Sequence, residues 1–258
     1  MKILLRRFVS GLGYEVHRHT YPLACDRGRF DTNLATVADA TMLPRDRLAS
    51  LYDQVAHCQR LGIPGCFVEC GVWKGGAVGF MALAALQQPG LSRTLHLFDS
   101  FQDICAPESL DGQKAIAETG ELKSTDRPLA AVAGHYDAVG GHGTRAACHE
   151  LIVGRIRYPE ELVRFHEGWF QDTLSVDAGA LGPIAMLRLD GDWYASTKVC
   201  LDHLYDQVAP GGFVIIDDYG TYEGCRVAVD QFLQSRGTTP FLSRVDASCY
   251  YLIKPAGG

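Results

Sequence analysis

The chain has 258 residues, 47% of them apolar and 21% charged, which suits one large globular domain with a substantial core. A net charge of −6 and a pI near 5.8 leave no basic surface of the kind nucleic acid requires. No apolar run approaches the ~20 residues of a membrane span, and nine scattered cysteines without a C-x-x-C pair argue against a zinc site or a disulfide framework. A reducing cytoplasm is the expected compartment.

The chain opens MKILLRRFVSGLGY, where Arg6 and Arg7 interrupt the apolar stretch and no small-residue cleavage site follows. It reads as a surface or subunit-packing helix within an N-terminal arm, residues 1–40, and docking on anionic lipid is the alternative. A homo-oligomer is expected. Pro44 then starts a helix with Leu48, Leu51, Val55 and Cys58 on one stripe. CFVEC (66–70) reads as a buried strand, GGAVGFMALAALQQ (75–88) as a helix and TLHLFDS (94–100) as a second strand, the βαβ unit of a parallel sheet.

Residues 103–148 break the rhythm: AVAGHYDAVGGHGTRAAC is rich in Gly, Ala and His and lacks strand periodicity. Its position beyond the second strand, at the edge where open α/β sheets bind ligands, marks it as a lid over the acceptor. His135 and His142 lie in it, and His142 is a candidate catalytic residue beside the acceptor. EGWFQDT (167–173) then ends another strand with an aromatic pair, a candidate wall for an adenine ring. IAMLRLD, the helix ASTKVCLDHLYDQV, the turn APGG, FVIIDD and the helix RVAVDQFLQSR continue the alternation. FLSRV and CYYLIK around the polar turn DAS close it with an antiparallel hairpin. The expected fold is a doubly wound, mostly parallel α/β sheet with helices on both faces.

Three places carry chemistry. FVECGVWKGG (67–76) is a glycine-rich strand-to-helix turn but not G-x-G-x-x-G, because Glu69 stands ahead of Gly71. A carboxylate there would repel a pyrophosphate and suits a cationic cofactor such as S-adenosylmethionine; glycines serving packing alone are the alternative. Asp99 ends the second strand, placed either for ribose hydroxyls or as an N-cap, and Asp172 fits the nucleoside wall or the N-cap of a helix starting at Thr173. Asp190 and the Asp217–Asp218 pair leave the same sheet edge, and hard oxygen ligands without a His or Cys cluster suit Mg2+. Asp192 positions Asp190 or caps the next helix.

Several of these segments together resemble the macrocin O-methyltransferase family of metal- and S-adenosylmethionine-dependent sugar methyltransferases. They are TMLPRDRLASLYDQV, GIPGCFVECGVWKGG, LHLFDSF, EGWFQDTL, LRLDGDWYAST and PGGFVIIDDYGTYEGCRVAVDQF, covering about Thr41 to Phe232. The lid and the first 30 residues lie outside the resemblance. It implies a seven-stranded Rossmann-like class I methyltransferase domain over residues 41–258. It also implies Glu69, Gly71 and Asp99 around S-adenosylmethionine, with Ser100, Phe101, Gln171 and Asp172 near the nucleoside. Asp190, Asp217 and Asp218 would bind Mg2+, with Asp190 as general base. The polar lid favours a glycosyl acceptor over a catechol or other phenol. An NAD-dependent oxidoreductase and a non-catalytic S-adenosylmethionine-binding protein are the remaining readings.

Overall fold

The computed structural model of the chain describes residues 22–123 and 129–255. Its strands are β1 (Cys66–Cys70), β2 (Leu95–Asp99), β3 (Val163–Glu167), β4 (Ile184–Leu189), β5 (Val208–Ile216), β6 (Ser243–Arg244) and β7 (Tyr250–Ile253). They form one sheet in the order β3-β2-β1-β4-β5-β7-β6. The first five pair in parallel, and β7 runs antiparallel to both β5 and β6. The expected doubly wound sheet with a terminal hairpin is therefore present. The chain reverses direction of travel between β1 and β4, the switch point at which such sheets open a crevice.

Eight α-helices are described: α1 (Arg27–Val37), α2 (Arg45–Arg60), α3 (Gly76–Leu86), α4 (Gly112–Thr119), α5 (Arg145–His149), α6 (Phe170–Asp177), α7 (Tyr194–Leu204) and α8 (Glu223–Ser235). Strand alternation assigns each side chain to one of two cores. Phe67 of β1 packs with α1, α2 and α3, whereas Cys66, Val68 and Cys70 pack with α6, α7 and α8. On α2, Leu48, Leu51, Val55 and Cys58 are all buried, as the helical stripe requires.

Residues 1–21 of the expected arm lie outside the described residues. From α1 onward the chain belongs to the core: Phe30 and Val37 are fully buried with the first helical layer. The connection to α2 is held by Gly76, whose N–H donates to Ala40 O at 3.0 Å. All nine cysteines are free thiols.

Three local expectations need correction. APGG is not a separate turn: β5 runs through it, and the register steps from Ile184–Val208 to Met186–Phe213, so the surplus residues bulge from the sheet with Gly211 at φ +81°. Helix α6 starts at Phe170 rather than Thr173, because the N–H groups of Asp172 and Thr173 both donate to Trp169 O. Asp172 is thus in the first turn, where its charge faces the positive helix end, and is not the N-cap. Finally, residues 103–148 are not wholly irregular. Glu108 and Asp111 form a reciprocal capping box leading into α4, a helix hidden from periodicity by its 8-residue length between Gly112 and Gly120.

His96 and His166 stand side by side on β2 and β3. His96 Nδ1 lies 2.9 Å from His166 Nε2, and His166 Nδ1 lies 2.7 Å from Asp177 Oδ2. Burial, reinforced by His166, holds His96 down to about 4. The unfolded chain protonates this ring near 6.5, so its contribution to stability is complete above that pH and is lost as the pH falls toward 4. At pH 5 the loss should be about 2 kcal/mol relative to neutral pH. Urea unfolding of the wild type and His96→Phe at both pH values measures it: the variant should show a shallower acid decline, and an identical decline would contradict the assignment.

Candidate active site

The parallel ladder continues one residue beyond the strands, and this aligns their carboxyl ends. Gly71 N donates to Phe98 O, Gly168 N to Asp99 O, Asp190 N to Cys70 O and Asp217 N to Leu189 O, all at 2.8–2.9 Å. The turns that follow therefore start from a level edge. Gly71 has φ +90°, and a Cβ there would stand 1.9 Å from Asp190 O; at Gly76 a Cβ would stand 2.3 Å from Ala40 O. Close backbone packing already requires both glycines.

Register places Glu69 on β1 directly beside Arg188 on β4, on the same face of the sheet. Arg188 is 2% exposed. Its Nη1 donates to Glu69 Oε1 at 2.6 Å and Asp190 Oδ2 at 2.9 Å, and its Nη2 donates to Asp217 Oδ1 at 2.6 Å. Arg47 on α2 reaches the other side of the cluster, donating to Asp217 Oδ2 and, at 2.7 Å, to Asp246 Oδ2. Neither arginine is among the site residues that the sequence points to. Arg188 was detectable as a guanidinium on a strand otherwise buried throughout, which demands acidic partners.

Two guanidinia do not neutralise this edge. Burial pushes Glu69 up to about 8 against the pull of Arg188. Burial also raises Asp217, again opposed by Arg188. Asp192 and Asp218 are lifted well above the usual carboxylate range, by burial first and then by the neighbouring aspartates. Asp218 Oδ2 and Glu69 Oε2 are buried without a hydrogen-bond partner among the described residues. Asp190, Asp217 and Asp218 each offer an oxygen, and these atoms all lie within 4.8 Å of one another. An all-oxygen donor set with an unpartnered buried oxygen fits a hard divalent cation.

A cavity of about 360 Å³ opens beside this cluster. Gly71, Asp99, Ser100, Gln171 and Asp190 line it, with Asp192, Trp169 and Phe170. Asp99 Oδ2 accepts from Val72 N at 2.6 Å and Trp73 N at 2.9 Å, and its Oδ1 accepts from Phe101 N at 2.6 Å. It ties two turns together rather than capping a helix. Burial raises its carboxyl, and these three N–H groups oppose the rise.

The other expected site residues stand back from the cavity. Glu69 lies beneath its wall, bound to Arg188, and Phe101 turns its ring toward Phe165 at 6.0 Å. Asp172, Asp217, Asp218 and His142 are not among the lining residues. His142 is 43% exposed and 3.8 Å from Asp103, whereas His135 does line the cavity. His142 thus stands outside the cavity lining.

The segment expected as a lid, residues 103–148, is fastened at several points among its described residues. Asp103 accepts from Gly134 N at 2.9 Å and Tyr136 N at 3.2 Å. Lys74 Nζ donates to Val139 O at 3.1 Å and Gly140 O at 2.9 Å, and Trp73 Nε1 donates to Gly141 O at 3.2 Å. Asp111 accepts from Tyr194 N at 2.6 Å, joining the lid to the start of α7. Lys74 and Trp73 belong to the turn after β1, so one turn meets both Asp99 and the lid.

The model of the macrocin-O-methyltransferase (TylF) family matches residues 15–138 and 154–254. Mycinamicin III 3''-O-methyltransferase of Micromonospora griseorubida is 30% identical over 254 residues, covering 96% of this chain and 93% of that protein. Demethyldecarbamoylnovobiocin O-methyltransferase of Streptomyces niveus is 32% identical, covering 74% of this chain and 67% of that one. Among solved structures, the O-methyltransferase NovP superposes with a TM-score of 0.67 at 28% identity, covering 98% of each chain. A calicheamicin methyltransferase, CalS11, gives 0.55 at 16% identity over 93% of this chain and 98% of that one, a likeness of fold alone.

Arg188→Met should lower stability by about 3–5 kcal/mol, since it leaves buried carboxylates without their counter-charge. Glu69→Gln in the same chain should recover part of that loss. Urea unfolding of the single and double variants measures both; a double variant no more stable than Arg188→Met would contradict the charge-balance account.

Proposed function

As a member of the macrocin O-methyltransferase family the chain is an O-methyltransferase, and we propose that it methylates a sugar hydroxyl of a glycosylated natural product, using S-adenosylmethionine and Mg2+. The observation that carries this reading is the convergence of Asp190, Asp217 and Asp218 beside a cavity walled by Asp99, Ser100 and Trp169. Asp190 alone belongs to both the cluster and the wall. Two relatives named above are O-methyltransferases of mycinamicin III, at a 3'' position, and of demethyldecarbamoylnovobiocin, which supports a natural-product acceptor. The free thiols support a reducing cytoplasm.

When bound, the cofactor supplies an electrophilic methyl group and the cation supplies Lewis acidity that eases ionisation of an acceptor hydroxyl. The chain's own residues do the rest. Asp99 and Ser100 hold the nucleoside end, with Gln171, Trp169 and Phe170 as its wall. Asp190 takes the acceptor proton as general base. Glu69 and Arg188 set the charge beneath it, and the lid excludes water and aligns the acceptor. Alignment contributes as much as ~7–11 kcal/mol in such displacements. His135, in the cavity lining, meets the acceptor, and His142 lies 3.8 Å from Asp103.

A phenolic acceptor is the second reading, favoured by Trp73, Tyr136, Trp193 and Tyr222 in the cavity lining. Incubation with glycosides, nucleotide sugars and catechols, read by mass spectrometry, decides between them. A catechol turned over with far higher kcat/KM than every sugar would reverse the order.

EDTA should abolish turnover and added Mg2+ restore it; full activity in metal-free protein would refute the metal assignment. Asp190→Asn should cripple transfer while leaving S-adenosylhomocysteine binding nearly intact, and Asp99→Ala should weaken that binding. Calorimetry showing equal losses in the two variants would refute this division of the site.

A further inference from the structure

Arg47 lies outside the cavity, in the first turn of α2, yet it touches the candidate metal cluster across 170 positions of sequence. Its Nη1 donates to Asp217 Oδ2 while Arg188 holds Asp217 Oδ1, so both oxygens of one carboxylate are gripped from opposite sides. Arg47 is itself fixed by Asp246, whose Oδ2 accepts from Nε at 2.7 Å. Asp246 is fixed in turn: its Oδ1 accepts from Ser248 N and Cys249 N, each at 2.8 Å. The same turn grips the backbone of the cluster, since Ser248 Oγ donates to Asp217 O at 2.8 Å. The polar turn between β6 and β7 and the first turn of α2 thus meet at Asp217.

We propose that Arg47 and Asp246 form a positioning pair that orients Asp217 and thereby strengthens divalent-cation binding at the carboxylate cluster. This rests on the Mg2+ reading above. Two effects of Arg47 oppose each other. Its positive charge repels a cation, whereas its grip stops the Asp217 carboxylate from rotating away. Asp246 compensates the charge at hydrogen-bond distance, and the side chains of Arg47 and Asp217 are only 16% and 5% exposed. Orientation is therefore the larger effect. Groups that orient metal ligands in this way commonly change metal affinity by about 10–100-fold.

The test is Mn2+ binding to the full-length protein, followed by the paramagnetic resonance signal of free Mn2+. The wild type should bind one ion, and Asp190→Asn should abolish that binding. Arg47→Met should raise the Mn2+ dissociation constant about tenfold with an unaltered circular dichroism spectrum. Asp246→Asn retains an oxygen for the Ser248 and Cys249 N–H groups and should raise the constant by a smaller factor. Wild-type protein without a Mn2+ site would overturn the metal reading and this proposal together. An intact wild-type site, unchanged or tighter in Arg47→Met, overturns the proposal alone. If Arg47→Met does not fold, Asp246→Asn decides on the same criterion.

Discussion

One buried guanidinium organises this molecule's functional edge. Arg188 joins the carboxylates of Glu69 on β1 and of Asp190 and Asp217 just beyond β4 and β5, and its charge offsets their mutual repulsion. Such an ion cluster is a poor source of net stability, because desolvation offsets most of the attraction. Its effect is on specificity: it allows only an arrangement in which Glu69, Asp190 and Asp217 face the same point. The acidic excess that remains is directed toward Asp218 and Asp192, next to the cavity.

The scaffold and the chemistry are coupled through backbone. Each strand end is extended by one ladder bond, so Asp190 and Asp217 inherit the rigidity of the sheet. Asp192, at φ +60°, turns sharply away from Asp190 before α7 begins. Backbone strain of this kind is tolerated where neighbouring structure overdetermines it, and here Asp111, Trp193 and Gly191 all bond close by.

Much of the architecture was legible because it depends on periodicity. Uniform burial of CFVEC, the stripe on α2 and the carboxylates ending two strands are local patterns with local causes. The charge partners were not legible in the same way. Apart from its bond to Asp190, Arg188 pairs with Glu69 and Asp217 across strands, and Arg47 pairs with residues 170 and 199 positions distant, so no short sequence window holds both halves of these pairs. The start of α6 was missed because an aromatic, Trp169, stands where a polar cap was expected. His142 lies outside the cavity lining: its neighbours in residues 103–148 are visible in the sequence, but its position 3.8 Å from Asp103 depends on a local fold that no spacing encodes.

The fastening of the lid has a consequence for diversification. The hydrogen bonds that hold residues 132–141 meet that segment at main-chain atoms: Val132, Gly134 and Tyr136 through N–H, and Val139, Gly140 and Gly141 through C=O. Val132 pairs with the backbone carbonyl of Ile104, and the other partners, Asp103, Trp73 and Lys74, are side chains outside residues 132–141. The fastening is thus largely indifferent to which side chains the segment carries. Drift at His135 or Val139, which line the cavity, could reshape its wall while these main-chain bonds survived, so the cavity could change without disturbing the carboxylate cluster.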